Sequence, residues 1–262
     1  MSKSNQEEFI NRVKMALGKP FSNVRQKADL FSREMPVETP AILERVKNRT
    51  VEDRKRLLET LTEAAEPINL KVIPVNDVGA VATAIAELVR DKDPEWGDPK
   101  SVAAWQHPLI ESLNLPEALS EQGVPVVFTD LQNTDEADLR RRVIASYIGV
   151  TSADFCMADT ATLVMRTRPG QARSVSLLPS IHIAVIEIDQ IIADLKELYA
   201  LLKWDPLKRK EGVTNCMTFI SGPSKTADIE ATMIDGAHGP REVYTFVIAP
   251  DDFEDDADAP PE

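Results

Sequence analysis

Leu70-Lys-Val-Ile-Pro-Val-Asn-Asp-Val-Gly-Ala-Val-Ala-Thr-Ala-Ile-Ala-Glu-Leu-Val89 sets the rhythm of this chain. Its first six residues are a short apolar run and read as a strand. Asn76 or Asp77 then caps a helix in which Val81, Ile85, Leu88 and Val89 recur at helical spacing. The alternation continues downstream. Ser101–Trp105 and Val124–Phe128 read as strands and His107–Leu113 as a short helix. Asp135–Ile148 reads as a helix with Leu139, Val143, Ile144 and Tyr147 inward. A further strand begins near Thr162, after a turn and an irregular or helical segment. Arg166–Arg173, with Pro169 and Gly170, is a polar turn. Ile183–Ile188 and Val243–Ile248 are strands again, and Asp189 is expected to cap a helix carrying Ile191, Ile192, Leu195, Leu198 and Leu202. Strands alternating with helices call for an α/β fold built on a mostly parallel sheet flanked by helices.

Upstream the pattern is helical. Residues 4–17 hold Phe9, Ile10, Val13 and Leu17 at helical spacing and suggest a short amphipathic helix, and residues 20–40 carry three prolines and read as an extended arm. Thr50 is placed to cap a second helix, with Glu52 and Asp53 in its first turn, an apolar stripe of Leu57, Leu58, Leu61 and Ala65, and Pro67 to close it. Three parts are therefore expected: an N-terminal helical arm over 1–68, an α/β domain over 69–250 and an acidic tail over 251–262.

Seven of the 43 acidic residues lie in the last twelve positions, where there is no base, so more than half of the net charge of −13 sits in that tail. Such a block is expected to be disordered. An acidic surface repels phosphate backbones, which disfavours nucleic acid as a partner. No run of eighteen apolar residues and no apolar leader is present, so a cytoplasmic protein without a membrane span is expected. Two cysteines, Cys156 and Cys216, are too few for a disulfide framework or a four-thiolate iron–sulfur cluster. Three scattered histidines without metal-ligand spacing give no metal site.

The chemistry concentrates late in the chain. Cys216-Met-Thr-Phe-Ile220 reads as a buried strand and opens onto Ser221-Gly-Pro-Ser-Lys-Thr-Ala-Asp-Ile-Glu230 and Gly236-Ala-His-Gly-Pro240, which is expected to place these residues at the carboxyl end of the sheet, where open α/β sheets take their ligands. Gly222, Gly236 and Gly239 let the backbone come close to a ligand. Ser224 is placed to cap a short helix from Lys225, with free amides and Lys225 facing an anion, and Thr226 and Glu230 on one helix face. The same spacing also suits a tight turn with an ion pair from Lys225 to Asp228 or Glu230. His238, in a glycine turn, can titrate near neutral pH and do acid–base work with Asp228 or Glu230. It also suits a purely structural turn. Asp159, Thr160 and Thr162 form a companion group of carboxylate and hydroxyls before a strand, and His182 either holds a loop or lines the same mouth. Neither a phosphate-binding loop, a nucleophile elbow nor a dinucleotide fingerprint occurs.

In order, Gly149-Val-Thr with Ala158-Asp-Thr-Ala-Thr-Leu-Val, Leu178-Pro-Ser-Ile-His-Ile183, Gly222-Pro-Ser-Lys-Thr-Ala-Asp-Ile-Glu230 and Gly236-Ala-His-Gly-Pro240 resemble the LUD domain of lactate-utilisation proteins. The resemblance covers about residues 70 to 249. The family usually has Glu-Thr-Gly-Thr where this chain has Asp159-Thr-Ala-Thr162, and Arg where Lys225 stands. The resemblance implies a fold like that of ribose-phosphate isomerases and CoA-transferases. It also implies a part in oxidising L-lactate to pyruvate beside iron–sulfur partner proteins, with this chain as a subunit that carries no cluster. A stand-alone enzyme or binding protein for an anionic carboxylate, phosphate or CoA ester is the alternative. Whether the chain itself catalyses a reaction, and with what cofactor, is open at this level. The ligand set is Gly222, Ser224, Lys225, Thr226, Asp159, Thr160, Thr162, His182, Gly236 and Gly239, with His238, Glu230 and Asp228 as the catalytic candidates.

Overall fold

The computed structural model describes residues 12, 15, 34–94, 99–130, 135–210, 216–227, 233–236 and 238–249. The expected tail at 251–262 and nearly all of the expected helix at 4–17 lie outside the described residues. Residues from Pro40 onward form one compact unit, described below.

Twelve strands are described: β1 (Leu70–Val75), β2 (Val102–Ala104), β3 (Val126–Phe128), β4 (Ile148–Thr151), β5 (Phe155–Met157), β6 (Thr162–Arg166), β7 (Ile181–Glu187), β8 (Ile191–Ile192), β9 (Met217–Ile220), β10 (Lys225–Ala227), β11 (Met233–Asp235) and β12 (Glu242–Ile248). Six of them form one sheet in the order β1-β12-β7-β4-β2-β3, and every neighbouring pair runs parallel. The expected α/β fold on a mostly parallel sheet is present. The central strand β7 is buried on both faces, the condition that gives parallel strands their continuous apolar runs. Ile181, Ile183 and Val185 face one layer, where Val81, Ile85 and Val89 of the helix Val78–Asp91 pack. Ala184 and Ile186 face the other, with Leu61 and Ala65 of the helix Val51–Ala65.

That second face also receives a sheet absent from the expectation. Four strands in the order β8-β5-β6-β9 pack Cys156, Leu163 and Ile191 onto the main sheet. Their far side packs Phe155, Met157, Val164 and Ile192 against Leu198 and Leu201 of the helix Leu195–Trp204. Ile191 and Ile192 are therefore strand residues, paired with Cys156 and Met157, rather than the first turn of a helix. The helix starts later because the Asp194 carboxylate accepts from the Glu197 amide. Thr50 caps as expected, in a reciprocal box with Asp53.

Two local expectations fail. The strand after Cys216 is the edge of the four-stranded sheet, with Phe219 exposed, instead of a buried strand. Ser224 caps no helix, because Lys225–Ala227 pairs antiparallel with Met233–Asp235 as a hairpin.

Candidate functional site

The four sequence motifs converge through backbone contacts. An alanine Cβ at Gly149, on β4, would lie 1.8 Å from the Val175 carbonyl oxygen and 3.0 Å from Pro179 Cγ. The Ser180 carbonyl accepts from the Arg241 amide at 2.8 Å, which joins the Leu-Pro-Ser segment to the start of β12. The Ser224 amide donates to the Pro240 carbonyl, and the Gly236 amide donates to the Ser224 carbonyl, both at 2.8 Å. A Cβ at Gly239 would meet Ser224 Cβ at 3.2 Å. Gly222 (φ +77°) and Gly236 (φ +82°) need left-handed backbone, and a Cβ on either would strike Ile68 or Arg241.

The companion group joins this hub. The Thr162 hydroxyl lies 2.7 Å from the Ser221 hydroxyl and 3.0 Å from that of Thr160, which donates to Asp159 at 3.1 Å. Asp159, Thr160 and Ser221 are exposed. Ala161, between them, has φ +44° and is fully buried. Left-handed backbone costs a non-glycine residue about 1–2 kcal/mol. The buried methyl, about 0.8 kcal/mol, and the smaller unfolded-state entropy of alanine, about 0.5–1 kcal/mol, offset most of that. Alanine is thus tolerated at a glycine-like position.

Position within the sheet differs from the sequence reading. The motif hub lies against Ile68, Ser180 and Pro240, which precede β1, β7 and β12. It therefore sits at the amino ends of the parallel strands. The local pattern after β9 suggested a carboxyl end, but β9 belongs to the four-stranded sheet. Lys225 and His238 are exposed, and Thr226 lies in the hairpin opposite Ile234. Asp228 and Glu230 lie outside the described residues.

His182 is fully buried between the layers, its Nε2 2.8 Å from the Thr151 hydroxyl. Burial pushes its pKa down to about 3. The folded protein therefore keeps this imidazole neutral, while the unfolded chain protonates it near 6.5. Between those values the unfolded state binds more protons, so stability falls with acidification. Each pH unit below 6.5 is expected to cost up to about 1.4 kcal/mol. Urea titrations from pH 7 to 4, compared with His182→Gln, check this: the variant's slope with pH should be shallower. Equal slopes would exclude the effect.

A second polar concentration lies at the opposite, carboxyl ends of the strands. A cavity of about 480 Å³ opens there, bounded by Trp105 after β2, by Ala153 and Asp154 after β4, and by Glu187 at the end of β7. Arg168 reaches it from the Arg168-Pro-Gly-Gln171 turn, where Pro169 and Gly170 (φ +75°) supply the two central positions of a type II turn. Gly170 is seated by its carbonyl, which accepts from the Gln106 amide and the Thr129 hydroxyl. Asp154 accepts from the Arg166 amide at 2.7 Å, Arg166 Nε at 2.8 Å and an Arg168 terminal nitrogen at 2.6 Å. Burial alone would raise its pKa, but these bonds and both guanidinium charges outweigh it and hold the carboxylate ionised. His107 accepts the Leu109 amide at Nδ1, 3.2 Å away, which leaves the ring proton on Nε2. Burial, and secondly Arg168, lower its pKa, so it is neutral at pH 7.

No motif in the sequence marked these residues. The signal available was positional: His107 and Asp154 each follow a strand of the parallel sheet, where ligands bind in such folds. Among the described residues, no group of three or more His, Cys, Asp or Glu side chains is arranged to hold a metal ion.

The LUD domain model matches residues 58–248, about three quarters of the chain. The chain belongs to the LUD domain family. Two relatives are each named lactate utilization protein C. The one from Halalkalibacterium halodurans is 32% identical over 151 residues, 57% of this chain and 63% of that protein. The one from Shouchella clausii is 26% identical over 244 residues, 93% of this chain and 97% of that protein. The crystal structure of a DUF162 family protein from Deinococcus radiodurans superposes with a TM-score of 0.49 at 18% identity, over 75% of this LUD chain and 98% of the other. Among the described residues, no helix is long and apolar enough to cross a membrane.

Proposed function

We propose that this chain is a lactate utilisation protein of the cytoplasm, serving as the subunit without iron–sulfur clusters in a system that oxidises L-lactate to pyruvate. The observation that carries the reading is the similarity along 93% of the chain to a protein of that name. Cysteine chemistry supports the division of labour. Cys156 is fully buried, with its pKa pushed up to about 12 by burial, and Cys216 is the only other cysteine. Two thiols cannot supply the four thiolates of a cluster. Electrons leaving lactate therefore pass through partner proteins rich in cysteine, or through a cofactor bound at a partner interface.

Within this reading the motif hub is the functional mouth: Gly222, Gly236 and Gly239 shape the backbone, Ser224, Lys225, Asp159 and Thr160 supply polar groups, buried Thr162 braces Thr160 and Ser221, and Thr226 completes the ligand set. His238, with Asp228 and Glu230, is the acid–base candidate. Lys225 and His238 are exposed, so their removal costs little stability. Lys225→Ala and His238→Ala are each expected to leave unfolding within about 0.5 kcal/mol of wild type while cutting lactate-dependent activity at least tenfold. Unfolding of either variant would assign the residue to the scaffold instead.

The experiment is purification of the tagged chain from lactate-grown cells of its own organism. Cysteine-rich partners, iron and acid-labile sulfide are expected to accompany it, and the assembly should reduce a dye with L-lactate. A chain that elutes without iron or partners, beside an assembly that oxidises lactate without it, would sink the proposal.

A further inference from the structure

We infer that Ser221 is a contact that only accepts: it takes a hydrogen bond from a hydroxyl or ammonium group of the molecule bound at the motif hub. Its role rests on the reading of that hub as a binding mouth, and it adds a residue to the ligand set. The direction of three hydroxyl protons decides it.

Strands β6 and β9 pair antiparallel through Leu163 and Ile220. The next residues outward, Thr162 and Ser221, are therefore cross-strand neighbours, and their hydroxyl oxygens lie 2.7 Å apart. That is the usual length of a hydrogen bond between hydroxyls. Which oxygen donates is settled one step further back. A hydroxyl has a single proton to give and lone pairs to receive with. Thr162 has two acceptors within its own loop, the Thr160 carbonyl at 3.1 Å and the Thr160 hydroxyl at 3.0 Å. Either one uses its proton. The Thr160 hydroxyl in turn donates to the Asp159 carboxylate, 3.1 Å away. Toward Ser221, Thr162 thus offers a lone pair, and the Ser221 proton goes to it.

The order reinforces itself. A hydrogen bond to a carboxylate is stronger than one between neutral groups, and hydroxyls aligned in one direction polarise one another. Thr162 is 3% exposed, so water does not compete for its hydroxyl. To turn its proton outward, Ser221 would have to break the 2.7 Å bond and leave that buried oxygen without its donor.

The backbone holds the arrangement. Ala161 (φ +44°) turns the chain between Thr160 and Thr162, and Gly222 (φ +77°) turns it directly after Ser221. Ser221 is exposed, so it is the end of the relay that a ligand reaches. It shows the ligand lone pairs and no proton. A hydroxyl or ammonium hydrogen meets them. A carbonyl or carboxylate oxygen at the same place would set acceptor against acceptor, and the Asp159 carboxylate repels an anionic oxygen as well. Sites built to hydrogen-bond a hydroxyl reject analogues that lack it. Thr162 acts as a positioning residue, because it fixes the direction of the Ser221 proton.

Crystals of the full chain soaked with propan-2-ol, isopropylamine and acetone test this polarity without any carboxylate. The alcohol or the amine is expected within hydrogen-bond distance of Ser221 Oγ, and which of them binds names the donor. Acetone with its oxygen on Ser221, or neither donor there, would overturn the inference. Titration of the full chain with L-lactate and pyruvate carries the test to the function proposed for the hub. The hydroxy acid is expected to bind about tenfold more tightly or better, and Ser221→Ala should abolish that preference. Thr162→Val frees the Ser221 proton, so pyruvate should gain on lactate, while Thr162→Ser keeps the wild-type ratio. A Thr162 that only supports the fold would change both affinities alike. Pyruvate bound as tightly as lactate by the wild type, or a preference that survives Ser221→Ala, would also overturn the inference. If Thr162→Val fails to fold, Ser221→Ala decides, since Ser221 is exposed and its loss spares the core. Soaks that follow the inference in a chain that binds neither acid would sink the lactate reading and leave the Ser221 assignment standing.

Discussion

Replacing Gly149 by alanine is expected to destabilise the protein by about 3 kcal/mol or more. The new methyl would stand 1.8 Å from the Val175 carbonyl oxygen and 2.9 Å from its carbonyl carbon. Both atoms are backbone, and so is the strand that carries the methyl, so no side chain can swing away. Overpacking of a core generally costs about 1–3 kcal/mol. Here the helix Ser174–Leu177 must lift off β4, which puts the cost at or above the upper end. A loss of about 3 kcal/mol lowers the melting temperature of a chain of this size by roughly 6–12 °C. Gly123→Ala is the control: its Cβ meets nothing within 4 Å, and only its φ of +64° opposes alanine. That costs roughly 1–2 kcal/mol. Thermal melts of the two variants check the contrast. A Gly149→Ala protein as stable as the control would show that the helix can move without penalty.

Loss of Glu197 is expected to cost about as much, by a different route. Its side chain is about 1% exposed and accepts from the side chains of Arg45 and Arg49 and from the Ala193 amide at 2.7 Å. Arg49, 8% exposed at its side chain, also donates to the Ile191 carbonyl at 2.9 Å. The carboxylate therefore ties the segment before the Val51 helix to the four-stranded sheet and its covering helix. Removing one partner of a buried ion pair strands the other charge, at about 3–5 kcal/mol. Glu197→Ala should show this loss in urea unfolding. Arg49→Met added to Glu197→Gln should recover part of it, because the stranded charge is gone. A double variant weaker than the sum of the two singles would contradict the account.

Much of this fold is written locally. Leu70–Val89 announces strand, cap and helix in one stretch, and each forms where the pattern puts it, with Asp77 accepting from the Ala80 amide. Thr50 with Asp53 is equally legible, because a capping box involves only four consecutive residues. What escapes is long-range pairing. Ile191, Ile192, Leu195 and Leu198 mimic a helical stripe, yet the two isoleucines pair with Cys156 and Met157, some 35 positions away. Lys225–Ala227 has a plausible helix cap before it, yet it finds Met233–Asp235 across a hairpin. Nor does a local pattern say which sheet a strand joins: β9 pairs with β6 in the four-stranded sheet, so the stretch after it lies at the amino ends of the parallel strands and not at their carboxyl ends. The motif order identified the family; the cavity around Asp154 and Arg168, which no motif marks, required the topology.

The measurement that bears most directly on the central claim is growth on L-lactate as sole carbon source after deletion of this gene and any second copy. Growth is expected to stop, to return with the wild-type chain, and to return poorly with Lys225→Ala or His238→Ala, while growth on pyruvate stays normal throughout. Normal growth of the deletion strain on L-lactate would contradict the claim that this LUD protein serves lactate oxidation.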